Sequence, residues 1–123
     1  MMRVYVTTAE HISEYPDPIV FSKGTPLLIH GKYEGDEGWE NWFFCTVPGH
    51  SGGWVPEQLI KWGEDWRHGI SKESYSGQEL NVSCGDILTC TREIYGWVWC
   101  LRSSDHQTGW VPKNLLQEID TAD

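Results

Sequence analysis

The segment Gly109-Trp110-Val111-Pro112-Lys113-Asn114-Leu115-Leu116 decides the fold, because it occurs twice in the chain. Its first copy is Gly53-Trp54-Val55-Pro56-Glu57-Gln58-Leu59-Ile60. In each copy a short apolar strand ends at a proline, which cannot donate a hydrogen bond to a β-ladder. The two copies therefore predict the same local structure at two places in the chain.

Two further blocks repeat upstream of each copy. Trp42-Phe43-Phe44-Cys45 corresponds to Trp97-Val98-Trp99-Cys100, and Phe21-Ser22-Lys23-Gly24 corresponds to Val82-Ser83-Cys84-Gly85. Three blocks that recur in the same order at similar spacing indicate an internal duplication.

The duplication predicts two domains, which we place at residues 1–61 and 62–123. Residues 62–66 form the expected connection. A flexible linker is rich in Gly and Ser, whereas this stretch contains Trp62 and Trp66. We therefore expect the linker to pack against one or both domains.

Neither half shows sustained helical periodicity, and each is divided into short apolar runs by turn residues. Leu80 and Val82 alternate with polar neighbours, as in a half-buried strand, and Gly85 suits a turn that requires positive φ. The predicted fold class is all-β, with two small five-stranded barrels in tandem.

Composition supports small aromatic cores and an acidic surface. The 123 residues are enough for two minimal domains, and eight tryptophans supply much buried area per residue. The net charge is −9, and both halves are acidic. This charge argues against nucleic-acid and anionic-membrane partners and favours a basic or neutral protein partner.

The sequence contains no apolar run near the roughly 20 residues that span a bilayer, and its first residues lack a signal-peptide pattern. We therefore predict a cytoplasmic protein whose four cysteines are reduced thiols.

The cysteines favour structural roles over chemical ones. Cys45 and Cys100 are expected in the cores and Cys84 on an exposed turn, and the spacings that include Cys90 match no common zinc pattern. A Cys–His hydrolase would pair Cys45 with His50, or Cys100 with His106, but those cysteines should point inward. The sequence thus predicts no enzyme activity, no metal and no cofactor.

From Tyr75 to Leu116, the second half resembles the Src-homology-3 (SH3) family. The matching blocks include Glu79-Leu80-Asn81-Val82 and Gly85-Asp86-Ile87-Leu88, together with Trp97 and the segment 109–116. The first half is similar to the bacterial variant of that family, with Tyr15-Pro16-Asp17-Pro18-Ile19 at the place of the usual opening tyrosine motif.

The resemblance implies aromatic grooves that bind extended peptides, proline-rich or basic. A polyproline II peptide is already stiff, so it loses little entropy when it docks on flat aromatic walls. One implied groove consists of Tyr15, Trp42, Pro56, Gln58 and Leu59. The other consists of Tyr75, Trp97, Pro112, Asn114 and Leu115. Strand alternation places Trp42 and Trp97 opposite the core cysteines, so both indoles are expected to be ligand platforms.

The sequence also departs from the family, and it leaves alternatives open. Leu59 and Leu115 stand where the family usually has Tyr. The acidic stretch Glu34–Glu40 is either a solvated loop or an attractor for a basic peptide. The leading hypothesis is a non-catalytic adaptor, monomeric or weakly oligomeric. The alternatives are a cell-wall-binding module and a regulatory protein whose grooves are buried between its two barrels.

Overall fold

A computed structural model describes residues 3–14, 17–34, 41–50 and 52–119 of the chain. These residues are all-β, as predicted, and their only helical segments are the 3-10 turns Glu57–Leu59 and Lys113–Leu115. Over the same ranges, no helix is long and apolar enough to cross a membrane.

The described residues form twelve strands. They are β1 (Arg3–Thr7), β2 (Val20–Phe21), β3 (Pro26–Lys32), β4 (Trp42–Thr46), β5 (Gly53–Pro56), β6 (Ile60–Trp62), β7 (His68–Ser71), β8 (Tyr75–Ser76), β9 (Ile87–Ile94), β10 (Trp97–Arg102), β11 (Thr108–Pro112) and β12 (Leu116–Glu118). They form two five-stranded sheets, with orders β11-β10-β9-β1-β12 and β5-β4-β3-β7-β6, and a small sheet of β2 and β8.

The chain divides into two compact units, but not at Lys61. The central unit is Asp17–Gly77, and the terminal unit combines the described parts of Met1–Pro16 and Gln78–Asp123. The predicted boundaries assumed that each repeat folds as one continuous piece. Instead, β1 precedes the first repeat's blocks yet pairs with β9 and β12 of the second. Conversely, β7 begins the second half yet pairs with β3 and β6 of the first.

The expected linker at residues 62–66 is therefore part of the central unit. Trp62 ends β6, and the turn that follows leads directly into β7, which pairs antiparallel with β6. Gly63 N donates to His68 O at 2.7 Å and closes this turn. The prediction of a linker missed that the two tryptophans belong to a hairpin.

Similar backbone contacts occur at corresponding positions of the sequence repeat. In the central unit, Gly24 N donates to Ser71 O at 2.9 Å, and Ser71 Oγ donates to Ser22 O. In the terminal unit, Gly85 N donates to Thr7 O at 2.9 Å, and Thr7 Oγ1 donates to Ser83 O, the counterpart of Ser22 O. The strand that supplies Ser71 or Thr7 thus occupies the same place in both units.

Each unit has its own apolar core, to which Cys45 and Cys100 belong as predicted. Both cysteines are fully buried. The terminal core consists of Tyr5, Leu80, Val82, Leu88, Cys90, Val98, Cys100 and Val111. Buried residues of the central unit include Ile19, Phe21, Leu27, Ile29, Cys45, Val55, Leu59 and Ile60.

The prediction of four reduced thiols was wrong for Cys90 and Cys100, which form a disulfide. A register shift between Trp99 and Cys100 places the two cysteines directly opposite each other on β9 and β10. Their Cα atoms are 4.1 Å apart. Sequence spacing missed this pair because the bulge that creates it is a tertiary feature. Cys84 is free and exposed, as expected.

Candidate functional site

The groove residues predicted for the first repeat meet in the central unit, but they are covered. Trp42 and Pro56 are cross-strand partners on β4 and β5. Trp42 is only 6% exposed and Leu59 only 1%, whereas Gln58 on the 3-10 turn is exposed. Tyr15 lies outside the described residues. Trp42 is therefore a covered indole in this structure, and its use as a ligand platform stays a prediction.

The terminal unit brings together most of the second predicted groove. Trp97 and Pro112 are cross-strand partners on β10 and β11. Trp97 is 9% exposed and absent from the core cluster around Cys100. Asn114 is exposed and Leu115 is half-buried on the adjoining 3-10 turn. This groove thus combines a mostly covered indole with an accessible rim.

Tyr75, which was predicted for the second groove, belongs to the central unit, whereas Trp97 belongs to the terminal unit. It lies on β8 of the central unit, where it pairs with Phe21, and its ring centroid is 5.5 Å from that of Phe21. Its hydroxyl donates to Trp54 O at 3.2 Å. The pairing of β1 with the second repeat and of β7 with the first, which we call the strand exchange, explains the error. The segment that follows β7 belongs to the central unit.

The sequence reasoning missed His11, which occupies the position in the terminal unit that corresponds to Tyr75. His11 pairs with Val82 just as Tyr75 pairs with Phe21. Its ring approaches Trp97 edge-on, with centroids 5.7 Å apart and an interplanar angle of 73°. A signal was present: His11 follows Thr7 by four residues, as Tyr75 follows Ser71.

Glu79 fixes the orientation of His11. His11 Nε2 donates to Glu79 Oε1 at 2.8 Å, and the two side chains are 17% and 15% exposed. Backbone bonds between His11 and Val82 hold the histidine from the other side. Ile12, the next residue along, is 58% exposed. The edge of Trp97 is thus formed by an imidazole–carboxylate pair beside an exposed apolar side chain.

The 3-10 turn Lys113–Leu115 adds a charged rim near Trp97. Lys113 N donates to Gly96 O at 2.9 Å, which ties this turn to the residue before Trp97. Lys113 Nζ lies 2.9 Å from Glu93 Oε1, and this hydrogen bond raises the pKa of the lysine. The rim therefore presents charges of both signs.

The thiols suggested for a Cys–His pair do not have the properties of nucleophiles. Burial raises the pKa of Cys45 to about 12, so its thiolate is suppressed at neutral pH. His50 accepts from Gly52 N at 2.8 Å and lies 3.0 Å from Asp17 O. Cys100 is held in the disulfide.

The terminal unit also has an open polar cavity of about 400 Å³. Its lining residues are Gln78, Glu79, Leu80, Asn81, His106, Gln107 and Thr108. Residues 35–40 of the acidic stretch lie outside the described part of the chain, so the structure does not test their predicted role. Within the described ranges, no group of three or more His, Cys, Asp or Glu is arranged to hold a metal ion.

Comparisons with known proteins give no match. No protein family, no curated protein and no solved structure matches the chain.

Proposed function

We propose that this chain is a non-catalytic peptide-binding protein built from two SH3-like units, and that the terminal unit carries the binding site. The ligand is an extended basic peptide. The observation that carries the proposal is a surface where the His11 ring contacts Trp97 edge-on and an accessible 3-10 turn adjoins it. We call His11, Glu79, Trp97, Asn114 and Leu115 the terminal groove.

Two features support an SH3-like architecture. Each unit contains a five-stranded sheet with equivalent strand order, and in each a 3-10 turn directly follows the Gly-Trp-Val-Pro strand. In each unit, a tryptophan and a proline are cross-strand partners beside that turn. These are the residues that the resemblance implies for peptide contact.

Unequal exposure favours the terminal unit as the binding unit. Trp42 and Trp97 are both less than a tenth exposed, and Gln58 and Asn114 are both exposed. The units differ at two other positions: Leu59 and Tyr75 are less than a tenth exposed, whereas their terminal counterparts Leu115 and His11 are half-buried. A ligand that docks on existing structure needs accessible side chains, because uncovering buried ones adds to the cost of association.

The charge of the protein favours a basic ligand. The net charge is −9, and a field of that sign raises the association rate of cations and attenuates with salt. A shallow groove of this kind contacts few ligand side chains, so we expect a dissociation constant of roughly micromolar or weaker.

The test is an NMR titration of the labelled full chain with a ten-residue peptide of alternating Arg and Pro. We expect shifts at the Trp97 indole and the Asn114 amide, which weaken as salt rises. A Glu-Pro peptide of equal length controls for charge, and an Arg-Ala peptide controls for the stiff backbone.

Matched variants separate the two units. Asn114→Ala and Gln58→Ala remove equivalent exposed amides from the two 3-10 turns. We expect Asn114→Ala to weaken binding several-fold and Gln58→Ala to leave it unchanged. Shifts confined to the central unit, or equal binding of the Glu-Pro peptide, would refute the proposal.

A further inference from the structure

Each unit contains a slot into which one strand fits between two others. In the terminal unit, β1 lies between β9 and β12, and in the central unit β7 lies between β3 and β6. Tyr5 and Gly69 occupy equivalent positions in these inserted strands. Tyr5 is opposite Leu88 and Glu118, whereas Gly69 is opposite Leu27 and Trp62.

The central slot has no room for a side chain at position 69. A Cβ atom on Gly69 would lie 2.9 Å from Lys61 O, 3.0 Å from Ile60 Cγ2 and 3.2 Å from Ile29 Cδ1. The first of these neighbours is backbone and cannot rotate away. A tyrosine here would need space that Ile29 and Ile60 already fill.

Aromatic residues from other strands fill that end of the central core. The ring centroids of Trp62 and Phe43 are 5.1 Å apart, in an edge-to-face arrangement. Both side chains are half-buried. Strands β6 and β4 thus supply the side-chain volume at this end of the core, and β7 supplies none at position 69.

The terminal slot has the reverse distribution of volume. Tyr5 is 7% exposed and packs in the core cluster with Leu88 and Cys90. At the positions of Ile29, Phe43 and Trp62, the terminal unit has the smaller or more polar residues Cys90, Val98 and Glu118. Glu118 is exposed and pairs with Arg3, so it adds nothing to the core.

We propose that side-chain volume in the two slots specifies the strand exchange, with Tyr5 and Gly69 as the deciding residues. Pairing within one repeat would place Tyr5 against Ile29, Ile60 and Trp62, which overpacks the core. It would also place Gly69 beside Val98 and Glu118, which leaves a cavity. Both errors are destabilising, and the exchanged arrangement avoids both.

The first test exchanges the two residues. Gly69→Tyr should lower the melting temperature by about 10 °C or more, and Tyr5→Gly should have a similar effect. The double variant Tyr5→Gly/Gly69→Tyr should melt higher than either single variant, because unexchanged pairing then satisfies both slots. Gly31→Ala is the control, since nothing lies within 4 Å of a Cβ there.

The second test identifies which strands pair, and it works even if a single variant does not fold. Val6 and Ile87 are cross-strand partners, and Pro26 is the central-unit counterpart of Ile87. In a Cys84→Ser background, Val6→Cys/Ile87→Cys should form a disulfide under mild oxidation, whereas Val6→Cys/Pro26→Cys should not. Peptide mapping by mass spectrometry reads out the bond.

The Tyr5→Gly/Gly69→Tyr variant should reverse that pattern, so that residue 6 bonds to residue 26. If residue 6 still bonds to residue 87 and the melting temperature shows no recovery, the proposal is overturned. In that case, the segments that connect the strands fix the exchange independently of core volume.

Discussion

The two units differ in the residue that lies across the sheet from their buried cysteine. In the terminal unit, Cys100 lies opposite Cys90 and bonds to it. In the central unit, Cys45 lies opposite Ile29 and stays a free thiol with a raised pKa. Two buried cysteines at equivalent positions therefore differ in their bonding, and the residue opposite each on the neighbouring strand determines whether a disulfide can form.

The turns that follow these strands differ as well. Tyr95 and Gly96 connect β9 and β10 in two residues, both with positive φ, as in a tight hairpin. In the central unit, nine residues separate Lys32 from Trp42, and four of them are acidic. The duplicated framework thus tolerates large local changes, which is where ligand specificity commonly lies.

Replacement of Trp42 or Trp97, two of the buried tryptophans, should have the largest effect on stability. We expect Trp42→Ala and Trp97→Ala each to lower the free energy of unfolding by about 3–5 kcal/mol, because each leaves a large cavity. Urea unfolding measures the loss. Trp66→Ala is the control: its indole is 69% exposed, and its loss should cost less than about 0.5 kcal/mol. If Trp42→Ala and Trp97→Ala lowered the free energy of unfolding as little as Trp66→Ala does, the burial of Trp42 and Trp97 would be contradicted.

Reduction of the disulfide should affect the terminal unit alone. The bridge closes a loop with a sequence separation of 10, so its loss should cost about 3 kcal/mol. Amide exchange with and without dithiothreitol resolves the two units. Faster exchange at Leu88 with unchanged exchange at Leu27 is the expected result, and Cys45→Val should not alter the response. Equal acceleration in both units would show that they do not unfold separately.

Arg102 is a polar anchor of the terminal unit. Its guanidinium donates to Asp105 through two nitrogens, both at 3.0 Å, and also to Asn81 O. Val47 stands at the equivalent place in the central unit. Arg102→Lys should cost about 1.5–3 kcal/mol, because an ammonium cannot reproduce the planar fork. Arg67→Lys, at an exposed arginine of the central unit, should be neutral in the same urea titration.

The smallest expected effect is the alkaline sensitivity that Cys45 gives to the central unit. Its pKa is about 12 when folded and 9.0 in the reference state. Above pH 9 the unfolded chain releases this proton first, so stability decreases as pH rises. The contribution is lost progressively between pH 9 and 12, by about 1 kcal/mol at pH 10. The difference between wild type and Cys45→Val at pH 8 and 10 isolates it. Identical losses in the two proteins would contradict the raised pKa.

The predicted cytoplasmic location stays a prediction. Disulfides persist mainly in oxidising compartments, so the Cys90–Cys100 bond does not support that prediction. Because both sulfurs are buried, reduction requires the terminal unit to open. The rate of reduction therefore reports how often that unit opens.

The candidate site was predictable in its sequence-local parts. Trp97, Pro112 and Asn114 come from neighbouring strands and the adjoining turn, and the resemblance to the SH3 family assigned them to one groove. His11 could not be assigned in the same way, because 85 residues separate it from Trp97 and its position depends on the exchange. The burial of Trp42 could likewise not be predicted, because strand alternation gives the face to which a side chain points but not which residues cover that face.

The sequence by itself determined the all-β class, the repeated blocks and the core positions of Cys45 and Cys100. These follow from local patterns that both copies share. Only the tertiary structure decided that β1 pairs with the second repeat and β7 with the first, that Cys90 lies opposite Cys100, and that Tyr75 belongs to the central unit. The physical reason is that equivalent repeats offer two nearly identical sets of backbone partners. Local preference cannot choose between them, and the choice depends on how Tyr5 and Gly69 fit cores that form only when the chain is folded.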